Sequence, residues 1–261
     1  MKIQKKDLIK KFVPPFFVDM VGYVKGVPYL IKSIKWTLRN RTVHNKYWGQ
    51  TVYILGSGPS LNNFDLSKIY GESIISMNFF GAHKDKELFN IVAHCIGEPY
   101  PSDGWQDPKR MIDSVNADTY WLHSGSAEKT KHINDKIYYY TPIVRANSLF
   151  FTGQSLHIHG LIYQSTSQMA INIALYMGFK KIYLLGMDHD WLVTRGYSPH
   201  FYEESSETTP ADFSSFSYTE MIEISLNLFR TYEFLRRVSS KKDVGIFNIS
   251  SPSYLDVFPR G

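Results

Sequence analysis

The chain has 261 residues, of which 43% are hydrophobic and 15% aromatic, and it carries a formal net charge of +5. This length and apolar content are sufficient for a sizeable core, and they exclude a disordered or low-complexity protein. Cys95 is the only cysteine, which excludes an intramolecular disulfide and fits a reducing compartment.

The positive charge is concentrated in the first fifty residues. They contain eleven Lys and Arg residues against only Asp7 and Asp19, whereas the other 211 residues carry eighteen basic and twenty-two acidic groups. A nucleic-acid-binding domain needs a basic face of its own, so this distribution argues against nucleic acid as a partner. We therefore assign residues 1–48 to a basic, aromatic-rich N-terminal extension and residues 49–261 to one folded domain.

Aromatic residues alternate with lysines along this extension. Prolines and charged residues interrupt its apolar runs before they reach the length of about 18 residues that a membrane-spanning helix needs. Two interpretations remain open, namely a peripheral membrane anchor with its lysines facing anionic lipid, and a helix packed on its own domain. We favour the anchor, which predicts a cytoplasmic protein bound to the inner face of the cytoplasmic membrane. The sequence leaves homo-oligomerisation open.

Short apolar runs bounded by turn residues predict the first strands of the domain. They lie at 51–55, 73–78, 90–96, 119–123 and 136–140. The later part of the chain predicts a helix, a strand, a second helix and a last strand. The first of these helices starts with hydroxyl groups at 165–167 and ends at Gly178, and "KIYLLGMD" follows it. An apolar residue every three or four positions from Met221 to Val238 predicts the long helix, and "GIFNIS" the last strand. The alternation predicts an α/β fold with a mostly parallel sheet flanked by helices.

Polar loops follow several of these strands. In a parallel sheet, ligands bind outside the carboxyl ends of the strands, which places the loop 56–61, Asn78 and the segment 188–191 near one edge. The first loop, "GSGPSL", lacks the third glycine of a dinucleotide-binding loop, the lysine of a P-loop and the serine-centred spacing of a hydrolase elbow. Its glycines permit close approach of a ligand to the backbone, and its serines can donate to phosphate or sugar oxygens. A tight structural turn is the alternative.

Three blocks of sequence together resemble a known family. "GSGPSL", "SMNFF" and "STSQMAINIALYMGFKKIYLLGMDHDW" resemble the bacterial lipooligosaccharide sialyltransferases of glycosyltransferase family 42. They are also similar to the related domain of flagellin-glycosylation proteins and of an MptE-like pterin pyrophosphokinase family. The resemblance covers about residues 51–255 and leaves the extension outside. It implies a Rossmann-like fold and a transferase of lipopolysaccharide or capsule biosynthesis. Such an enzyme moves a sialic-acid-like or other sugar from a nucleotide donor, with CMP favoured, to a glycan or lipid-linked glycan.

The same resemblance implies which residues bind the donor. They belong to the glycine loop, the asparagine after the second strand, the hydroxyl-rich helix start and the aspartate after "LLGM". In this sequence they are Gly56, Ser57, Gly58, Pro59, Ser60, Asn78, Thr166, Ser167 and Asp188. The family usually has Asn where this chain has Ser57. For the helix start, a plain N-cap is the alternative to a ligand role.

The family carries two tyrosines on a lid, which stabilise the leaving phosphate, and a later histidine that acts as general base. Here the lid corresponds to about residues 190–217, with Tyr197 and Tyr202 as the tyrosines and His200 as the candidate base. The family's histidine lies nearer the final helix, where "DFSSFSYTEM" contains none. His189, directly after a buried strand, is therefore the rival candidate.

Asp188 and Asp190 also form a D-x-D pattern, which suits Mg²⁺ or Mn²⁺. Transferases that use CMP-sugars generally work without such a metal, so we expect no cofactor and keep a metal site at these two aspartates as the alternative. Two other functions remain open at this stage. One is ATP-dependent diphosphate transfer of the pterin pyrophosphokinase type, and the other is a non-catalytic scaffold that binds nucleotide sugars.

Overall fold

The computed structural model describes residues 15–97, 108–144, 155–194, 200–202 and 216–261. Nine strands lie in these ranges. They are β1 Thr51–Leu55, β2 Ser73–Met77, β3 Asn90–Cys95, β4 Tyr120–His123, β5 Ile137–Tyr140, β6 Pro142–Val144, β7 Gly160–Leu161, β8 Lys181–Leu185 and β9 Gly245–Asn248. Seven of them form one sheet in the order β5-β4-β3-β2-β1-β8-β9, and every neighbouring pair in it is parallel. The predicted parallel α/β sheet is confirmed.

Five α-helices accompany the strands in the described ranges. They are α1 Pro15–Thr37, α2 Pro108–Asp113, α3 Ala127–Thr130, α4 Thr166–Met177 and α5 Tyr218–Lys241. The predicted ends of α4 are correct, with Ser165 as N-cap and Gly178 in the left-handed conformation at φ +93°. The helix α5 begins with a capping box between Ser217 and Glu220. β6 and β7 pair with each other outside the main sheet and are not predicted by the sequence, because segments of three and two residues carry too little periodicity.

The core packs on both faces of the central strands. Ile54 of β1 lies in register with Ile75 of β2 and Leu184 of β8, and all three side chains are fully buried. Nearly the whole of α4 is buried against the sheet, since every residue from 167 to 177 is inaccessible to solvent or nearly so. Cys95 is also buried as a free thiol, and burial raises its pKa, as suits a structural rather than a nucleophilic cysteine.

The order of the strands creates a crevice at one place in the sheet. From β1 the chain builds outward through β2, β3 and β4 to β5, and it then returns to place β8 on the opposite side of β1. At such a switch point, the loops that follow the two central strands diverge and leave room for a ligand outside their carboxyl ends. The loops after β1 and β8 are the ones that carry the polar motifs of the sequence.

The helix α1 packs against the β5 side of the sheet. Asn40, just beyond the helix, donates from its amide to the carbonyl of Tyr139 on the edge strand β5 at 2.8 Å. Trp36 of α1 contacts the ring of the same tyrosine edge-on, with 5.9 Å between ring centroids. Within the described ranges, no helix combines the length and the hydropathy that crossing a bilayer requires.

Candidate functional site

The loops after β1 and β8 are held together by backbone hydrogen bonds. The Gly56 amide donates to the Leu185 carbonyl at 2.7 Å, and the Gly58 amide donates to the Gly186 carbonyl at 2.9 Å. A Cβ atom on Gly56 would collide with the Gly186 oxygen, and one on Gly58 would lie 2.5 Å from the Asp188 carboxyl carbon. Both glycines therefore allow the two loops to approach each other. The sequence predicted that a ligand would approach the backbone at these glycines, but atoms of the loop after β8 fill the space next to their Cα atoms.

Ser60 and Asp188 join the same two loops through their side chains. The Ser60 amide donates to Oδ2 of Asp188 at 2.9 Å, and the Ser60 hydroxyl donates to Oδ1. Both residues are buried. Burial raises the pKa of the Asp188 carboxyl, the hydrogen bonds from Ser60 oppose this effect, and the nearby charge of Asp190 adds to it. Ser60 and Asp188, which the sequence predicted to bind the sugar donor, thus form a buried clamp that fixes the loop after β1 against the loop after β8.

Asn78 joins three further elements at the same edge of the sheet. It follows β2 with a left-handed backbone at φ +48°, a conformation that asparagine adopts more readily than most residues. Its carbonyl oxygen accepts from the Gly97 amide after β3 at 2.9 Å, and its amide group donates to the Thr166 hydroxyl at the start of α4, at 3.4 Å. Asn78 and Thr166, two residues predicted to bind the nucleotide-sugar donor, are therefore direct neighbours.

A chain of four hydrogen-bonded side chains runs from α4 to the loop after β8. The Ser165 and Ser167 hydroxyls lie 2.6 Å apart, and Ser167 lies 2.5 Å from the hydroxyl of Tyr232 on α5. The Tyr232 hydroxyl in turn lies 2.8 Å from Nε2 of His189. Burial lowers the pKa of His189 to about 4, so its imidazole is neutral at physiological pH. The Ser165 hydroxyl also accepts from the Ser167 amide as the N-cap of α4.

The sequence identifies neither Ser165, which it gives only as part of a helix cap, nor Tyr232 as a site residue, and Tyr232 is the less expected of the two. It falls within the apolar stripe of α5, and its ring is fully buried, as that stripe predicts. Its hydroxyl nevertheless meets His189 and Ser167. A buried tyrosine normally finds a partner for its hydroxyl, so a tyrosine among aliphatic residues was the available signal, although it does not name the partner.

The segment 200–202 crosses the loop after β1. The Phe201 amide donates to the Ser57 carbonyl at 2.9 Å, and the Asn62 amide group donates to the Phe201 carbonyl at 3.2 Å. His200 stacks on Tyr202, with the ring centroids 4.8 Å apart and 4° between the ring planes. The predicted catalytic candidates His200 and Tyr202 therefore lie beside the glycine loop, whereas Tyr197 falls outside the described residues.

Tyr202 also connects this segment to the loop after β2. Its ring meets the ring of Phe79 edge-on, with the centroids 6.1 Å apart. Phe79 follows Asn78 directly, so the segment 200–202 spans the loops after both β1 and β2. Pro59 begins a short 3₁₀ helix beneath this crossing.

The D-x-D pair separates into two environments. Both carboxylate oxygens of Asp188 accept from Ser60, whereas the charge of Asp190 acts on the imidazole of His189 and favours its protonated form against burial. In the part of the chain that the structure describes, no three His, Cys, Asp or Glu side chains are grouped closely enough to hold a metal ion. The backbone carbonyl of Asp190 also accepts from the amides of Val193 and Thr194, which closes a turn over residues 190–194.

The sequence matches no protein-family model, and no curated protein matches it either. Solved structures similar to the chain include that of the sialyltransferase CstII from Campylobacter jejuni with the substrate analogue cytidine-5'-monophosphate. The sequence identity is 16%, the match covers 82% of this chain and 85% of the other, and the TM-score is 0.49. A structure of the same sialyltransferase with a trisaccharide acceptor and CMP has 15% identity over 80% and 85% of the two chains, with a TM-score of 0.47.

The MAf glycosyltransferase from Magnetospirillum magneticum AMB-1 is also similar. Its identity is 16%, its TM-score is 0.46, and the match covers 89% of this chain but only 38% of that longer protein. Sialyltransferases and flagellin glycosyltransferases are the classes of protein that the sequence motifs resemble. At these identities the activity has to be argued from the residues of the chain itself.

Proposed function

We propose that the protein is a glycosyltransferase that moves a sialic-acid-like or other sugar from a CMP donor to a hydroxyl of a surface glycan. The observation that carries this proposal is the gathering of polar groups at the carboxyl edge of the sheet, where Asn78 contacts Thr166 at the start of α4 and the glycine loop is fixed against the loop after β8 at the switch point. The resemblance of these same blocks to glycosyltransferase family 42 supports CMP as the nucleotide.

The start of α4 suits the anionic part of such a donor. The first amides of a helix have no partner within the helix, and its positive end attracts a carboxylate or a phosphate. Thr166 is partly exposed there, beside the Asn78 amide group. We assign these two side chains and the backbone of the loop around Ser57 to the donor, and Ser60 and Asp188 to the clamp that holds this loop in place.

The transfer needs a group that takes a proton. The acceptor hydroxyl attacks the anomeric carbon, the bond from that carbon to the phosphate oxygen breaks, and the hydroxyl proton moves to a base. We assign this role to His200, which lies over the glycine loop and stacks on Tyr202. Tyr202 and Tyr197 donate to the leaving phosphate. His189 is less suited to the task, because a pKa of about 4 makes its imidazole a weak base.

We propose that this chemistry proceeds without a metal ion. CMP donors carry one phosphate, and the bonds from Ser60 already engage both carboxylate oxygens of Asp188. The acceptor is a glycan or lipid-linked glycan of lipopolysaccharide or capsule assembly, and the protein acts in the cytoplasm at the inner face of the cytoplasmic membrane. The basic extension supports this location.

Nucleotide binding and donor turnover test the proposal. A ligand at 100 times its dissociation constant stabilises a protein by about 2.7 kcal/mol, so CMP should raise the melting temperature clearly more than UDP, GDP or ATP. Thr166→Val should reduce the CMP shift, whereas Thr42→Val, a change at an exposed threonine on a 3₁₀ helix away from the site, should not.

The products of turnover separate the proposal from its rivals. Release of CMP from a CMP-sugar supports the glycosyltransferase. Formation of AMP from ATP would instead identify a diphosphotransferase, and binding of a nucleotide sugar without turnover would identify a scaffold.

A further inference from the structure

The outer face of α1 carries two parallel strips of side chains. One strip is apolar and exposed, with 60% of Val24 and 67% of Ile31 accessible to solvent. Its members are Phe17, Val21, Val24, Ile31, Ile34 and Leu38, the last just past the end of the helix. The other strip is basic and consists of Lys25, Lys32, Lys35 and Arg39, all exposed. At 100° per residue, these two sets fall side by side on the half of the helix that faces away from the domain.

The inner face of α1 fixes this orientation. The Tyr29 hydroxyl lies 2.8 Å from the Ser124 hydroxyl at the end of β4. Gly26 lies so close to β6 that a Cβ atom on it would meet the Ile143 side chain at 2.6 Å. Rotation of the helix about its axis would break both contacts, so the two strips stay on the outer side of the folded domain.

We propose, resting on the glycosyltransferase function above only for the location of the acceptor, that this outer face binds the surface of an anionic lipid bilayer. The apolar strip enters the boundary between headgroups and acyl chains, and the basic strip pairs with lipid phosphates. From residue 15 to residue 42 the only acidic residue is Asp19. An anionic surface therefore complements this face along its whole length.

A second copy of the chain fits the same face less well. Pairing of two copies through the apolar strip would bring their basic strips together, and repulsion between like charges opposes such contact. Lys35 already has a counterion, since its ammonium lies 2.9 Å from Glu128 on α3, and the Arg39 guanidinium packs over the ring of Tyr138 at 4.8 Å. The two exposed lysines Lys25 and Lys32 are therefore the main partners for the lipid phosphates.

The direction of α1 relates this surface to the candidate site. Tyr29 lies beside Ser124, which follows the carboxyl end of β4, whereas Thr42 beyond the helix lies 3.2 Å from Tyr138 near the start of β5. The helix thus runs from the carboxyl edge of the sheet toward the amino edge. Val21 precedes Tyr29 by eight residues and lies about 12 Å further toward the carboxyl side. The N-terminal part of this face and the candidate site therefore lie toward the same edge of the sheet, which suits an acceptor glycan displayed on lipid.

Sedimentation of the full chain with vesicles tests this surface without any turnover. Vesicles of phosphatidylglycerol and phosphatidylcholine in equal parts should bind the protein at least about tenfold more strongly than vesicles of phosphatidylcholine alone, and added salt should weaken the binding. Lys25→Gln combined with Lys32→Gln should weaken binding to the anionic vesicles about thirtyfold. Val24→Ser combined with Ile31→Ser should weaken it at least about tenfold.

Leu88→Ser is the matched control, because Leu88 is an exposed apolar residue on a different part of the domain. It should bind vesicles like the wild type, and all of these exposed changes should leave the melting temperature nearly unchanged. Equal binding to neutral and anionic vesicles would overturn the proposal. So would unchanged binding by both double variants, since residues outside this face would then bind the lipid. Loss of a dimer in the Val24 and Ile31 variant, without any vesicle binding by the wild type, would assign the face to contact between copies.

The donor assay separates this proposal from the enzymatic one. Hydrolysis of a soluble CMP-sugar depends on the site alone, so vesicle binding without hydrolysis would refute the glycosyltransferase and retain the lipid surface. Hydrolysis without vesicle binding would retain the glycosyltransferase and refute the lipid-binding surface. If both hold, the two double variants should lose activity on a lipid-borne acceptor while they keep it on a soluble one.

Discussion

The two histidines near the candidate site are held in different ways. His189 ends a chain of hydrogen bonds that passes through Tyr232 to the start of α4, in a loop that the Ser60 clamp fixes. His200 lies on a segment that crosses the loop after β1, and it stacks on Tyr202. Both histidine side chains are partly exposed, but the ring of His189 is hydrogen-bonded to the buried Tyr232, whereas the ring of His200 stacks on the partly exposed Tyr202.

This difference separates positioning from proton transfer. The half-buried imidazole of His189, with its pKa lowered to about 4, remains neutral and keeps its hydrogen bond to Tyr232, which suits a group that fixes the geometry of a loop. A base that takes a proton from an acceptor must be able to reach the bound ligand. The comparison therefore favours a framework role for His189 and supports our proposal of His200 as the base, and the following experiments test that proposal.

The largest expected effect is on turnover in His200→Ala. A general base typically contributes a factor of about 10² to 10⁴, so kcat should fall at least about a hundredfold while the Kd for donor changes less than about threefold. His189→Asn is the matched variant, because residue 189 has a φ of +51°, which asparagine adopts readily. It should retain most of kcat. A near-normal rate in His200→Ala with a collapse in His189→Asn would reverse the assignment, and normal rates in both would remove histidine from the mechanism.

Gly58→Ala tests whether the loop after β1 depends on close packing against the loop that carries His189. The new Cβ atom would lie 2.5 Å from the Asp188 carboxyl carbon, so the clamp must shift. Overpacking of this kind costs about 1 to 3 kcal/mol, and donor binding should weaken with it. Gly22→Ala on α1 is the control, because its new Cβ atom would have no neighbouring atom within 4 Å. Denaturant unfolding measures the stability of both variants, and CMP titration measures their donor binding. Equal stability of the two variants would show that the loops can accommodate a Cβ atom at residue 58 without strain.

The pH dependence of stability tests whether folding lowers the pKa of His189. The unfolded histidine takes up a proton near its ordinary pKa of 6.5, but the folded one only near pH 4, so the unfolded state binds more protons in between. The stabilising contribution is complete above pH 6.5 and is lost as the pH falls toward 4. Between pH 6.5 and 5 this should cost about 2 kcal/mol of unfolding free energy.

His189→Asn supplies the reference for this measurement, because its side chain does not titrate. The difference in unfolding free energy between the wild type and this variant should shrink as the solution is acidified. A difference that stays constant from about pH 7 to pH 5 would mean that folding leaves the pKa of His189 unchanged, which would contradict its place in the hydrogen-bonded framework.

The smallest expected effect is that of EDTA. The proposed transfer depends on hydroxyl, amide and imidazole groups, so chelation should leave the rate of CMP release nearly unchanged, and added Mg²⁺ or Mn²⁺ should not raise it. A rate that EDTA abolishes and Mn²⁺ restores would favour a metal site at Asp188 and Asp190. The segment that carries His189 would then take part in the chemistry directly.

Local patterns in the sequence were sufficient for much of the fold. The runs at 51–55 and 73–78 correspond to β1 and β2, and the serine-rich start and terminal Gly178 of α4 were identified correctly. Such features depend on side-chain alternation and on cap residues within a few positions of each other. For the same reason, the sequence also placed Asn78 and the glycine loop at the ends of their strands.

The sequence by itself thus determined the seven strands of the main sheet, the helices α4 and α5, and the set of polar loops at one edge of the sheet. Only the tertiary structure decided which of those loops meet. Ser60 and Asp188 are separated by 128 residues, and they are in contact because β8 pairs with β1 on the side opposite β2. Tyr232 reaches His189 because α5 packs against the start of α4. Contacts of this kind follow from the order of strands and the packing of helices, which no local pattern of residues encodes.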